Sequence, residues 1–135
     1  LGDVYKRHTQ CTPRTSYGSR QVLILDTVGI LASVYGYATW SYIGGGFGVG
    51  IHNTLEAATF GLPVAFGPNY QKFKEARDLV TLGAARSVAD YEQLRAWFVP
   101  LRDNEEFLQK TSRIAKDYTT RHQGATDIIV KTIFH

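Results

Sequence analysis

The chain has 135 residues, a net charge of +3 with its histidines neutral, 44% hydrophobic residues and 20% charged ones. That composition suits a globular domain, or part of one, with enough apolar material for a core. It excludes a disulfide scaffold and a cysteine-based metal cluster, because Cys11 is the single cysteine, and the mild charge excess falls short of a nucleic-acid-binding signature. No apolar run approaches the ~20 residues needed to span a bilayer. Nothing at the start resembles a signal peptide. The abrupt opening "LGDVYKRHTQ" and the lack of any methionine read as a piece of a longer protein. Basic residues are scattered (Lys6, Arg7, Arg14, Arg20, Lys72, Lys74, Arg77). They fit a solvated surface, or attraction to an anionic ligand or membrane face.

In chain order, Val4–Thr9 fits a short strand, and the rest of residues 1–20, with Pro13 and Gly18, fits a loop. "QVLILD" (Gln21–Asp26) is a branched apolar run, expected as a strand buried on both faces. Val28–Ala38 carries Ile30, Leu31, Val34 and Tyr35 at helical spacing. Thr39–Gly44 is the next strand, and a glycine-rich loop follows it. Asn53–Gly61 predicts a short helix with Gly61 at its C-terminal end. Leu62–Gly67 predicts a third buried strand, with Pro63 at its start where a missing N–H does least harm. Tyr70–Gly83 is amphipathic, with Phe73, Ala76, Leu79, Val80 and Leu82 on one side. Ala84–Val88 is a short strand. Asp90 caps a helix to about Phe98 that Pro100 ends or kinks. Asn104 opens a helix to about His122, and Gly124–Phe134 forms a last one. The alternation predicts an α/β fold: a parallel sheet with helices on both faces. The organisation is a strand and loop lead-in (1–20), an α/β core (21–103) and C-terminal helices (104–135).

Parallel sheets place ligands at the carboxyl ends of their strands. Four glycines within Gly44–Gly48 occupy such an end, with Gly50, His52, Asn53 and Glu56 directly after. Glycines permit positive φ and close approach of backbone to a ligand. A helix beginning near Asn53 offers unpaired N–H groups to a phosphate. Glu56 could accept hydrogen bonds from ribose hydroxyls, and His52 could donate to an oxyanion. The competing explanation is local: Asn53-Thr54-Leu55-Glu56 has the N-x-x-E form of a capping box, which needs no ligand. The glycine run matches neither a dinucleotide fingerprint nor a P-loop, since "GGGFGVGIHN" lacks the Gly-Lys-Ser/Thr ending. His8, His122 and His135 read as surface residues, and no nucleophilic triad is evident.

"GGGFGVGIHNTLEAATFGLPVAFGPNYQKFKEA" (Gly44–Ala76) resembles the signature of the 3-deoxy-D-manno-octulosonic acid (Kdo) transferases of lipopolysaccharide biosynthesis. Their pattern there is close to GGS-x-x-x-x-GGHN-x-LE, a small-residue helix, then G-x-PV-x-x-GP and a Phe-containing helix. The likeness runs from about Val22 to the end. It implies the later part of the C-terminal, Rossmann-like domain of a GT-B glycosyltransferase, without that domain's first strands. It also implies an inverting transfer of Kdo from the nucleotide-sugar donor CMP-Kdo to a lipid A precursor. No catalytic residue is expected in this chain, because the general base belongs to the family's N-terminal domain; alone it is expected to be inactive. No cofactor or metal is implied.

Residue by residue, Gly44, Gly45 and Gly46 match the loop under the donor phosphate. His52 and Asn53, followed by Thr54, match the HN pair near phosphate or the Kdo carboxylate. Glu56 matches the ribose-holding carboxylate. Gly67, Pro68 and Asn69 match the loop after the next strand, and Asp26, Thr27 and Gly29 match a D-T-x-G turn. Three departures stand out. Gly46 stands where the family often has Ser, Ile30 where it often has Glu, and Lys72 where many members have Asn. Lys72 either supplies charge to the donor or points into water. The implied location is the cytoplasmic side of a Gram-negative inner membrane, with a membrane surface and a lipid A precursor as partners of the longer protein and no nucleic acid. Open strand edges predict that the chain self-associates. A GT-B transferase with another nucleotide-sugar donor, or a non-catalytic nucleotide-binding module, are the alternatives.

Overall fold

The computed structural model describes residues 5–14, 18 and 21–134. Its contacts divide the chain into two compact units, one ending at Val34 and one beginning at Tyr35.

In the first unit, Tyr5–Arg7 (β1) pairs in parallel with Val22–Ile24 (β2), Tyr5 opposite Val22 and Arg7 opposite Ile24. A single 3₁₀ turn, His8–Gln10, follows β1, so the expected strand to Thr9 is shorter, and its first residue, Val4, lies outside the described residues. Asp26 ties the two strands' ends together, accepting from the Thr9 N–H at 3.0 Å and the Thr9 hydroxyl at 2.5 Å. Those bonds hold its carboxyl below the usual carboxylate range. The expectation that Gln21–Asp26 is buried on both faces is not met: Val22 and Leu23 are each 48% exposed. A pair of three-residue strands is too small to bury a face of its own. Leu31–Tyr35 (α1) is also shorter than the Val28–Ala38 pattern suggests. Gly29 has a φ of +93°, a left-handed turn that a helix cannot continue through.

The second unit is built on Ser41–Ile43 (β3), Val64–Phe66 (β4) and Ala85–Ser87 (β5), all parallel, in the order β3-β4-β5. Ser41, Val64 and Ala85 are in register. The central strand β4 is entirely buried, and its alternation sorts two cores. Val64 and Phe66 point into one, with Ala57 and Ala58 of Leu55–Thr59 (α2), Ala76 and Leu79 of Lys74–Leu82 (α3), and Ala115 and Tyr118 of Glu105–Phe134 (α5). Ala65 points into the other, with Trp97 and Leu101 of Tyr91–Asp103 (α4) and, less deeply, Phe107 and Leu108 of α5. Small residues on β4 and α2 allow this close approach, and complete burial of Phe66 or Leu79 contributes about 1.5–3 kcal/mol each. The sheet is therefore covered on both faces, in a Rossmann-like arrangement.

Several element ends follow the sequence reading. Past α2, Gly61 has φ +72°; its N–H donates to Ala58 and that of Leu62 to Ala57, as in a Schellman end. Gly83 ends α3 in the left-handed region. Asp90 caps α4, its Oδ1 accepting from Gln93 N–H at 2.9 Å. Three expectations fail. Pro100 does not end α4, which runs on to Asp103; the fully buried Leu101 holds the last turn down, which offsets the one bond that proline removes. Gly124 does not divide the tail, because one interior glycine costs only about 1 kcal/mol against the rest of a 30-residue helix. On α3 only Ala76 and Leu79 are buried, while Leu82 is 49% exposed.

Candidate functional site

At the carboxyl end of the second unit's sheet lie the loops that follow β3 and β4. The first, Gly44–Gly50, is folded on itself: the Gly48 and Gly50 N–H groups donate to the Gly45 carbonyl at 3.0 and 3.2 Å. Gly45 pays for that turn with φ +88°, and a Cβ there would lie 2.3 Å from the Gly50 oxygen. The second, Gly67-Pro68-Asn69, lies against the backbone of Gly46 and the edge of the Phe47 ring. A Cβ on Gly46 would fall 2.5 Å from the Gly67 nitrogen, and one on Gly67 would fall 2.6 Å from the Gly46 carbonyl carbon. Asn69 closes the seam. Its N–H donates to Gly46 O at 2.8 Å and its Nδ2 to Gly48 O at 2.7 Å. Two of the predicted site positions, Gly46 and Asn69, thus hold one loop to the other.

Beyond the glycines, His52 N–H donates to Gly44 O at 3.1 Å, which lays the exposed imidazole over the Gly44–Gly45 backbone. The Asn53 Oδ1 accepts from Leu55 N–H at 3.0 Å, a turn two residues long rather than the expected bond to the third helical N–H. The capping box does not form: Thr54 is the residue before α2, and it is buried at 4% exposure. Glu56 is therefore not engaged with Asn53. Its carboxylate is exposed near the buried Tyr35, whose hydroxyl is raised above its ordinary pKa by burial first and by Glu56 second. Among the described residues, His52, Glu56 and Lys72 make no side-chain hydrogen bond or ion pair.

A cavity of about 320 Å³ opens beside the seam, lined by Gly48, Val49, Asn69, Gln71, Lys72 and Phe73. The Phe73 ring packs on Gly50, where a Cβ would meet it at 3.0 Å. The structure thus gathers Gly44–Gly46, His52, Gly67, Pro68, Asn69 and Lys72 on two adjoining loops. It does not bring His52, Asn53 or Glu56 into the wall of that cavity. The sequence reading assigns no role to Gln71 or Phe73, and it takes Gly48 and Gly50 only as part of the glycine run. Asp26, Thr27 and Gly29 belong to the first unit.

Other titratable groups are structural. Asp78 bridges Lys74 at 2.5 Å and accepts from the Tyr118 hydroxyl at 2.8 Å. Lys74 and then Tyr118 hold its carboxyl below the usual range; burial first, and then Asp78, raises Tyr118. His122 is exposed and stacks on Tyr118 at 4.1 Å. Only the backbone of His8 is described, and His135 lies outside the described residues. No group of three metal-ligating side chains occurs among the described residues. None of the helices there is long and apolar enough to cross a membrane.

The class this geometry defines is a Rossmann-like α/β unit with two apposed glycine loops at the carboxyl end of its sheet. No protein-family model matches the chain. Individual proteins do. It is 36% identical over 107 residues to the 3-deoxy-D-manno-octulosonic acid transferase of Bordetella pertussis, covering 78% of this chain and 25% of that one. It is 36% identical over 77 residues to the enzyme of the same name from Rickettsia typhi, covering 56% of this chain and 17% of that one. In three dimensions it is similar to the C-terminal CMP-Kdo binding domain of WaaA from Acinetobacter baumannii. The TM-score there is 0.66 at 23% identity, over 82% of this chain and 60% of that one. The chain is similar to 3-deoxy-D-manno-octulosonic acid transferases over most of its own length, and it spans about a quarter of the length of the Bordetella relative.

Proposed function

We propose that this chain is the donor-binding part of an inverting GT-B glycosyltransferase that moves Kdo from CMP-Kdo to a lipid A precursor. The observation that carries the reading is the Glu56 carboxylate. It is exposed and released from the capping role its sequence suggested, in the helix that leaves the glycine loop. Such a carboxylate is suited to two ribose hydroxyls. His52, over the Gly44–Gly45 backbone, and Lys72, on the cavity wall, are suited to the donor's phosphate and carboxylate. The names of the Kdo transferase relatives and of the CMP-Kdo binding domain support this donor. The general base and the acceptor surface belong to the remainder of the longer protein, which works at the cytoplasmic face of the inner membrane.

The test has two parts. The isolated chain should bind CMP in preference to UMP, UDP and GDP in calorimetry. In the longer protein, Glu56→Gln should reduce kcat/KM for the donor by about 10- to 150-fold, the equivalent of losing a charge-assisted bond of about 1.5–3 kcal/mol, with little change in Tm. Unchanged donor kinetics with a lower Tm would make Glu56 a structural residue and sink the assignment.

A further inference from the structure

A second pocket lies at the carboxyl end of β5, one strand along from the loop seam. It is about 160 Å³ and is lined by Arg86, Ser87, Gln93, Ala96 and Trp97. Its chemistry is one-sided. Arg86 shares its register position with Ala65 of β4 and turns toward α4, where its guanidinium sits 5.5 Å from the Trp97 ring centroid. Among the described residues no carboxylate pairs with it. Trp97 is 5% exposed, and its Nε1–H is buried with no acceptor. Buried donors are nearly always satisfied, so an orphaned indole N–H calls for a partner. Gln93 uses its Oε1 to accept from Ala89 N–H at 3.0 Å, which leaves its amide N–H₂ as a donor. The Ser87 hydroxyl already donates to Gly67 O at 3.4 Å. The nearby acid Asp90 is held by the Gln93 N–H, and no acidic side chain lines the pocket.

We infer that this pocket binds a small oxyanion, a carboxylate or a phosphate, held by the Arg86 guanidinium and the Gln93 amide against the Trp97 indole. An arginine presents a flat fork of donors that matches such a group, and the volume suits a single anionic head rather than a nucleotide. The Ser87–Gly67 bond joins the pocket's wall to the Gly67 loop. The anion therefore has two sources: a free small acid, or the charged end of a ligand held at the loop seam. The inference does not depend on the donor proposed above.

The experiment reads the indole itself. The chain has two tryptophans, so its ¹⁵N-labelled form gives two indole cross-peaks, assigned with Trp40→Phe. Inorganic phosphate and, separately, acetate are titrated at constant ionic strength with chloride as the balancing salt. The Trp97 indole peak should move saturably while the Trp40 peak stays in place. In Arg86→Gln, a change at an exposed side chain, the midpoint should rise at least tenfold, with the unmoved Trp40 peak reporting that the fold is kept. A linear, non-saturating shift, or an unchanged midpoint in Arg86→Gln, would overturn the site. Repeating the phosphate titration with excess CMP separates the sources. Competition assigns the anion to a ligand reaching over from the seam, and its absence assigns a free small acid. CMP failing to bind at all would count against the proposed donor and leave the phosphate result standing.

Discussion

The most exacting test of the loop seam is Gly46→Ala. Gly46 has an ordinary φ, so the methyl brings no backbone strain of its own. The whole cost comes from what it meets: the Gly67 nitrogen at 2.5 Å, its Cα at 2.6 Å and its carbonyl carbon at 2.9 Å. All three are backbone atoms and cannot swing aside as a side-chain tip would. Restoring ordinary separations of about 3.5 Å means parting the two loops by roughly 1 Å. The 2.8 Å bond from Asn69 N–H to Gly46 O would then stretch past useful length. Overpacking of about 1–3 kcal/mol and a lost bond of about 1 kcal/mol give about 2–4 kcal/mol in all. At about 4 °C per kcal/mol for a chain of this size, Tm should fall by roughly 8–16 °C. The internal control is Gly48→Ala, where a Cβ would sit 3.8 Å from Gly45 O. That is an ordinary contact, and the change should stay within about 0.5 kcal/mol. Urea and thermal unfolding of the two variants side by side decide the matter. Gly46→Ala matching Gly48→Ala would refute the seam. A serine at this position, as the resemblance places in many relatives, needs a wider seam than this chain has.

Three further outcomes follow from other parts of the molecule. Asp78 has a folded-state pKa below its unfolded value, so its contribution is present above about pH 4 and is lost as pH falls through the lowered value; the Tm difference between pH 6 and pH 3 should shrink in Asp78→Asn, and an equal difference would remove Asp78 from the acid response. Gly124→Ala lies inside α5 with open space around its Cβ and should stabilise by about 0.5–1 kcal/mol in urea unfolding, whereas destabilisation would mean that the helix is interrupted there after all. Exposed Val22 and Leu23 on β2 and exposed Ile128, Ile129 and Ile133 on α5 leave apolar surface that favours self-association, so light scattering at micromolar concentration should give at least a dimer, and a stable monomer would refute it.

The parallel sheet was legible because β4 carries its signal on both sides. "LPVAFG" is apolar throughout, bounded by Gly61 and Gly67, and its three strand residues are all buried. "QVLILD" has an equally apolar centre, and its strand residues Val22, Leu23 and Ile24 are exposed. Periodicity reports that a run can be covered, and does not say by what. The helix errors share another cause. Pro100 and Gly124 are local punctuation, and in both places the surrounding helix outweighed it, through the buried Leu101 at one and sheer length at the other. At the site, the pattern N-x-x-E fits either a capping box or a carboxylate left free. It was decided by a bond from Leu55 N–H to Asn53 that stops the turn one residue early, a choice between two local hydrogen bonds that composition cannot rank.

The glycine run itself changes meaning once the loops are in place. Read along the chain, so many glycines beside an imidazole and a carboxylate suggest backbone opened for a phosphate. In the fold, Gly45, Gly46 and Gly67 are already spent on protein: one on a left-handed turn against Gly50, two on contact with each other. Their presence would be required with no ligand at all. What points outward is the set of side chains that the platform carries and does not consume, His52, Glu56 and Lys72. The two sets should therefore separate in experiment. Substitutions at Gly45, Gly46 or Gly67 should lower Tm first and binding only as a consequence, whereas substitutions at His52, Glu56 or Lys72 should leave Tm in place and act on binding alone. A glycine loop is thus weak grounds for a nucleotide site until its neighbours across the sheet are known, and the unpaired polar groups that remain exposed on it are the stronger grounds.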